Sequence, residues 1–432
     1  MNLAPLAPLY ERPGPWASVY VDTSATDQSP TGRRALRTRQ VCADLAEQGA
    51  DEATRKAVRD ALEALATEPP EGGGETGGLG RPPGRALFAS HGEVVLDPPL
   101  TVAPATEAAA SWAQLPHVAP LLELAPEEPR CLVAYIDRIG ADFELRTATG
   151  REPAGSVDGE DWPVHRTATS EWDERHFQLS VENTWAQNAK NVADAITAKL
   201  AETGAQVTVL AGDDRERRTV RVHLPRQVEA TVVESPHGGR ARGADSRLLE
   251  EDVSEAMRAY ARDRTAGELD RFRMARTMSG GSIDAAEGVP ALVEAAREHR
   301  IGTLFVQPQG SDARREVWAG PQPDQIALRR TETRYLGEPE PFAARADDAL
   351  IRSATMTGAD AVVVEPPPNG RGDDIGVGAR ASMSGDQDVE EDEAQADEVR
   401  ARETRGPTGG LGALLRWPYA TEHPQSEPGT AP

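Results

Sequence analysis

Gly409–Gly410–Leu411–Gly412–Ala413–Leu414–Leu415–Arg416–Trp417, close to the C-terminus, decides how the fold is read. The glycine pair gives the backbone freedom that other residues lack. The apolar run behind it reads as a short strand. Residues 370–407 before it are rich in Asp, Glu, Gly and Ser and include the run Glu390–Glu393. That composition cannot bury a core, so a disordered acidic loop is expected there. The glycine strand then returns from the loop into a sheet, and the tail after Tyr419 frays. Before the loop, apolar spacing predicts a helix over Gly288–His299, a strand over Thr303–Gln307, a helix over Ala343–Thr357 and a strand over Ala361–Glu365. Such alternation points to a small layered α/β domain.

Cys131–Asp137 and Ala141–Thr147 alternate β-branched and apolar residues as a strand pair turning near Gly140. A polar loop is expected from Ala148 to Glu174, with Trp162 and Trp172 in it. A long helix follows over Arg175–Thr203, with Phe177, Val181, Trp185, Val192, Ile196 and Leu200 on one stripe. Gly204 suits the residue that ends a helix. Gln206–Ala211 reads as a buried strand, and strand, helix and strand continue through Val220–Leu224 and Gln227–Glu234. A helical pair spans Ser246–Met278, and Gly280–Gly281 marks a boundary.

Toward the N-terminus, Ala17–Thr23 reads as a strand and Arg33–Gln48 and Asp51–Ala66 as helices. Pro69–Gly84 is a loop, and Arg85–Ser90 with Glu93–Leu96 forms a hairpin turning at His91–Gly92. The proline-rich, acidic stretch Leu115–Pro129 holds the first boundary. The expected domains are 1–126, 127–280 and 281–420, with a tail over 421–432.

The net charge of −24 argues for solubility and against indiscriminate binding to nucleic acid or anionic membrane. Lys56, Lys190 and Lys199 are the only lysines, so arginine carries nearly all the positive charge. No apolar run approaches a membrane span, and Met1–Pro15 lacks the features of a signal peptide. Cys42 and Cys131 are too few for a disulfide framework or a cysteine zinc site and read as buried apolar residues. The eight histidines show no metal spacing. Walker, dinucleotide and serine-nucleophile motifs are missing. A cytoplasmic protein without cofactor or metal is expected.

The glycine strand resembles the closing strand of archaeal–eukaryotic class I release factors and of Pelota. Val181–Leu210 resembles their central domain: His176–Phe177 stands for an Arg-Phe pair, Val192–Ala193–Asp194 for Val-Ala-Glu and Leu210–Ala211–Gly212 for the strand end. Ala291–Phe305, with Gly302 before its strand, resembles the opening of the third domain. Trp172, His176–Phe177–Gln178, Glu182–Asn183–Thr184–Trp185 and Asn188 are similar to the bacterial branch, the Balon-like ribosome hibernation factors of actinobacterial type. The resemblance implies a mixed α/β fold of three small domains in release factor/Pelota-like order. It also implies occupancy of the A site of idle or stalled ribosomes, for hibernation or rescue. The N-terminal domain would face the decoding centre and the central loop the peptidyl-transferase centre. The C-terminal domain would face an elongation-factor GTPase.

Release factors place Gly-Gly-Gln at the tip of the central loop, where glycines admit the ester and the glutamine region donates to the oxyanion. Counting back from Val192, the glutamine position falls on Trp172 and the glycines on Ser170 and Glu171. A carboxylate and an indole there crowd an ester and repel phosphate, which favours a steric role. A diverged peptidyl-tRNA hydrolase would have to use Gln178, His176 or a held water. A third reading is an adaptor that recruits proteins through the acidic loop. The RNA-binding candidates are Trp162, Arg166, Trp172, Arg175 and His176, with Arg33, Arg34 and Arg37 on the first helix. The tryptophans could equally pin the loop to its own domain. The arginines could pair with neighbouring carboxylates or line a solvated face. Arg215, Arg217, Arg218 and Arg221 form a second basic cluster open to the same two readings.

Overall fold

The computed structural model describes residues 1–24, 30–67, 82–126, 128–147, 150–159, 171–240, 247–276, 282–364 and 406–420. It is a mixed α/β fold that divides into two compact units. The first comprises Met1–Pro69, Arg81–Pro126 and Thr265–Pro432; the second comprises Pro70–Gly80 and Glu127–Arg264.

The first unit opens with a 3-10 helix, Ala4–Leu9, and then β1 (Trp16–Asp22), α1 (Pro30–Glu47) and α2 (Glu52–Thr67). Asp51 starts α2, accepting the Thr54 N–H at 2.8 Å and its hydroxyl at 2.7 Å. The chain continues through β2 (Gly84–Ser90), β3 (Glu93–Leu96), β4 (Pro99–Leu100), β5 (Ala108–Ala113) and α3 (Ala119–Leu124). β1 lies between β2 and β5, antiparallel to both. Val19, Val21 and Leu87 face α1 and α2, while Trp16, Tyr20 and Phe88 face the opposite way. Two-sided burial explains why β1 has no clean polar–apolar alternation.

The second unit is built from β6 (Cys131–Ile136), β7 (Gly140–Thr147), β8 (Gly150–Asp158), α4 (Glu171–Thr203) and β9 (Val207–Ala211). It continues with α5 (Asp214–His223), α6 (Arg226–Glu229), β10 (Val232–Ser235) and the first part of α7 (Arg247–Arg276). The sheet order is β10-β9-β6-β7-β8. β10, β9 and β6 are parallel, whereas β7 and β8 are antiparallel additions. Val192, Ala193 and Ile196 of α4 cover one face of the sheet; Leu249, Val253 and Ala256 of α7 cover the other.

Three local expectations are corrected in this unit. The polar loop expected over Ala148–Glu174 contains β8 and the first residues of α4. β8 escaped notice because it is an edge strand with Pro153 and Gly155 at a register shift, devices that edges tolerate. Val220–Leu224 belongs to the end of α5 and its cap rather than to a strand. Its period-two look misleads, because Val222 is 81% exposed while Arg217, Val220 and Leu224 turn inward at helical spacing. Ser246–Met278 holds one helix, not a pair; Gly267 is tolerated in its interior.

The rest of the first unit follows as β11 (Ser282–Glu287), α8 (Gly288–Arg297), β12 (Ile301–Val306), β13 (Glu316–Ala319) and β14 (Ile326–Ala327). A 3-10 turn, Arg330–Leu336, leads to β15 (Phe342–Arg345), α9 (Ala346–Met356), β16 (Asp360–Val363) and β17 (Leu411–Ala420). The expected helix at Ala343 therefore begins three residues later, because 342–345 pair with β13. β17 is central in the sheet β11-β17-β12-β16, and β13 is central in β14-β13-β15. The glycine run is explained here. Gly409 and Gly410 have φ of 74° and 89°, in the left-handed region. The Gly410 carbonyl accepts from Gln307 N at 2.8 Å and the Gly409 carbonyl from Asp312 N at 2.9 Å, which delivers β17 into the sheet. The expected disordered loop falls almost wholly on 365–405, outside the described residues, as do the tail beyond 420 and the Gly280–Gly281 boundary.

Candidate functional site

In a parallel α/β sheet, binding groups collect beyond the carboxyl ends of the strands. In the second unit, β6, β9 and β10 end at Ile136, Ala211 and Ser235. Asp137 turns the chain there by accepting the N–H groups of Ile139 and Gly140, each at 2.8 Å. Arg138 follows on the turn, and its guanidinium stands 4.8 Å from the centre of the Trp185 ring on α4. Arg215, from the first turn of α5, stands 5.0 Å from the same ring. Two cations on one indole form a cation–π cluster. Arg138 also pairs with Glu216 at 3.1 Å. Buried Asn188, one turn beyond Trp185, donates to the Arg138 carbonyl at 3.1 Å and locks the turn to α4. Arg138, Trp185, Ala189 and Arg215 edge a depression of about 30 Å³, room for a water rather than a substrate.

Arg240 crosses the same rim. It pairs with Asp142 at 3.1 Å, Asp137 at 3.5 Å and Asp158. Partial burial works against its charge, but these carboxylates hold its pKa above the ordinary arginine value. At the end of β10, Asp252 accepts from the Ser235 hydroxyl at 2.5 Å and from His237 Nδ1 at 2.9 Å. Burial opposes its ionisation, yet the two donors hold its pKa below the ordinary value. Ser235 is fully buried and donates to the carboxylate, not to the imidazole, so this trio is not arranged as nucleophile and base.

Trp185, on the apolar stripe of the long helix, is partly exposed under two arginines, and Asn188 is buried beside it. Trp162 and Arg166 lie outside the described residues. Trp172, Arg175, His176 and Gln178 lie on α4, but their side chains are outside the described set. Arg33 is in α1 with its side chain likewise outside it. Arg37 donates to the Asp22 carbonyl at the end of β1, and Arg34 is partly buried on the same helix. The second basic cluster is largely neutralised: Arg217 is buried beside Glu234, Arg218 pairs with Asp214 at 3.1 Å and Arg221 with Glu234 at 3.0 Å. Arg138 was missed because a lone arginine after a strand carries no signal until α4 brings Trp185 to it.

Residues 130–277 match the model of bacterial archaeo-eukaryotic release factor family 2. The release factor-like span therefore covers the sheet, α4 and the rim just described. The chain is also 28% identical over 353 residues to the uncharacterized protein Rv2629 of Mycobacterium tuberculosis, covering 80% of this chain and 88% of that one. Among solved structures, a model of ribosome-bound archaeal Pelota and ABCE1 is similar at 14% identity and TM-score 0.36, with 96% and 94% of the two chains covered. Archaeoglobus fulgidus Pelota is similar at 13% identity and TM-score 0.32, with 77% and 79% covered.

A separate titratable cluster lies in the first unit. His117 Nδ1 is 3.0 Å from Asp348, which sits with Asp347 at the start of α9, a helix buried from Ala346 to Thr355. Donor atoms of these three residues lie within 4.8 Å of one another, the one such group among the described residues. Arg345 already neutralises the acids, at 2.5 Å from Asp347 and 3.7 Å from Asp348. The Tyr20 hydroxyl donates to the His117 carbonyl at 2.6 Å. The set reads as an ion-paired joint rather than a metal centre.

Proposed function

We propose that this protein is a ribosome-binding translation factor that occupies the A site of idle or stalled ribosomes, as a hibernation or rescue factor without Gly-Gly-Gln chemistry. One observation carries the reading. The release factor-like span ends its parallel strands in a rim of Arg138, Trp185 and Arg215, and Trp185 stands on the helix that also bears Trp172, Arg175 and His176. Arginine with aromatic rings suits RNA, where phosphates take the charge and bases take the rings. The acidic remainder of the chain suppresses binding elsewhere on RNA. A steric role fits the tryptophan and glutamate that stand where the catalytic motif would be. Trp162, Arg166, Arg33, Arg34 and Arg37 belong to the same proposed RNA contact set, with an elongation-factor GTPase as the delivery partner.

The alternative is a peptidyl-tRNA hydrolase using Gln178 or His176. Peptide release from a stalled complex, compared between the natural protein and Gln178→Ala, separates the readings. Release that collapses in the variant establishes the enzyme. Ribosome binding without release, in both proteins, supports the steric factor.

A further inference from the structure

We propose that the 3-10 turn Arg330–Leu336 is a docking platform for unpaired RNA, with Tyr335 as the stacking ring and Arg329 and Arg334 as the phosphate contacts. This deepens the ribosome-binding reading by naming a contact in the first unit, and its first test needs no ribosome.

Tyr335 is 92% exposed, the most exposed of the large hydrophobic side chains among the described residues. A ring this bare gains nothing from the fold. The backbone beneath it is nevertheless well held. Buried Thr333 donates from its hydroxyl to the Arg330 carbonyl at 2.7 Å, and its own carbonyl accepts the Glu338 N–H at 3.0 Å. Gln325 Nε2 donates to the Leu336 carbonyl at 3.0 Å, and Gly337 closes the turn at φ 82°. An exposed aromatic on an anchored turn loses little freedom on binding.

The charges around the ring leave guanidinium groups open to a partner. Several exposed arginines of this protein are engaged by carboxylates, as in the pairs of Arg218, Arg247, Arg262 and Arg271. Arg329 and Arg334 are exposed and have no ion pair among the described residues. Arg330 lies 5.5 Å over the Trp318 ring. The acid inside the turn, Glu332, is engaged by Arg297 at 3.3 Å. Beyond the turn, Glu338 accepts the Glu340 N–H at 2.7 Å. An acidic peptide would satisfy the guanidinium groups but leave the ring without a flat partner. An unpaired nucleotide supplies both a base face and a phosphate.

The test is fluorescence anisotropy of a short, labelled, single-stranded RNA of mixed sequence with the full chain at low salt. Tyr335→Ala is expected to weaken binding about tenfold, the loss of one stacking platform, and Tyr335→Phe to retain it. Arg329→Ala with Arg334→Ala is expected to lower the salt dependence, the slope of log affinity against log salt, by about 1.4, at about 0.7 per single-strand phosphate. No binding by the natural protein, or equal binding by Tyr335→Ala, overturns the proposal. Displacement of the RNA by polyglutamate at equal monomer concentration also overturns it and assigns the turn to an acidic protein. Ribosome pelleting without binding of the oligonucleotide removes the platform and leaves the ribosome reading. Oligonucleotide binding without pelleting does the reverse.

Discussion

Replacing His117 with alanine removes one half of a buried pair and tests whether that pair holds the first unit together. Asp348 has a 3% exposed side chain, and without His117 its remaining cation is Arg345 at 3.7 Å. Removing one partner from a buried ion pair costs about 3–5 kcal/mol, and Arg345 keeps the loss near the lower end. For a unit of this size each kcal/mol lowers the melting temperature by about 2 °C, so a drop of about 6 °C is expected at neutral pH. The pH dependence follows from the same geometry. Burial pushes the Asp348 carboxyl from 3.8 up to about 6. Burial alone would lower His117, but the hydrogen bond and charge of Asp348 raise it above its ordinary 6.5. Asp347, Arg345, Tyr10 and Tyr20 also face the pair. Both groups bind their protons more tightly when folded. The acid's contribution is therefore present below its unfolded value and lost as pH rises toward about 6. The imidazole's contribution is present below 6.5 and lost as pH rises through its higher folded value. Thermal unfolding by circular dichroism should give a melting temperature that falls from about pH 6 to pH 8 in the natural protein. Asp348→Asn, which removes the acid, should abolish that fall. Identical pH slopes in the two proteins would refute the reasoning.

Phe272 and Phe305 are fully buried with ring centres 4.9 Å apart; Phe305→Ala is expected to cost about 3–5 kcal/mol, read from the urea midpoint. Gly267 is exposed within α7 with open space where a Cβ would go, so Gly267→Ala should stabilise by up to about 1 kcal/mol in the same assay. Gly410→Ala combines a left-handed φ with a Cβ 2.8 Å from the Gly310 Cα; a loss of at least about 1–2 kcal/mol is expected in the same unfolding assay. Trp185→Ala removes the ring that Arg138 and Arg215 share and should weaken ribosome association, measured by titration with labelled protein, without release activity entering the readout.

The sequence carried the elements whose residues bury one face or end on glycine. β6 and β9 were legible from β-branched residues, β7 from its alternating Phe143 and Leu145, α8 from its apolar stripe and β17 from Gly409–Gly410. Less visible were elements shaped by their neighbours. β8 exists because β7 offers an edge, not because Gly150–Asp158 looks like a strand. α9 is buried from Ala346 to Thr355, so it shows no polar face, and its Asp347, Asp348 and Arg352 make sense only with His117, Arg345 and the carbonyl of Gly320 in place. The candidate rim was half legible. Trp185 and Asn188 stood out at helical spacing, whereas Arg138 and Arg240 become functional candidates only when the strand ends meet α4.

The central claim is ribosome binding, and co-sedimentation of the purified full chain with vacant bacterial ribosomes at moderate salt tests it most directly. The account predicts saturable pelleting near one copy per ribosome, reduced in Trp185→Ala. Absence of pelleting, with or without an elongation-factor GTPase present, would contradict it.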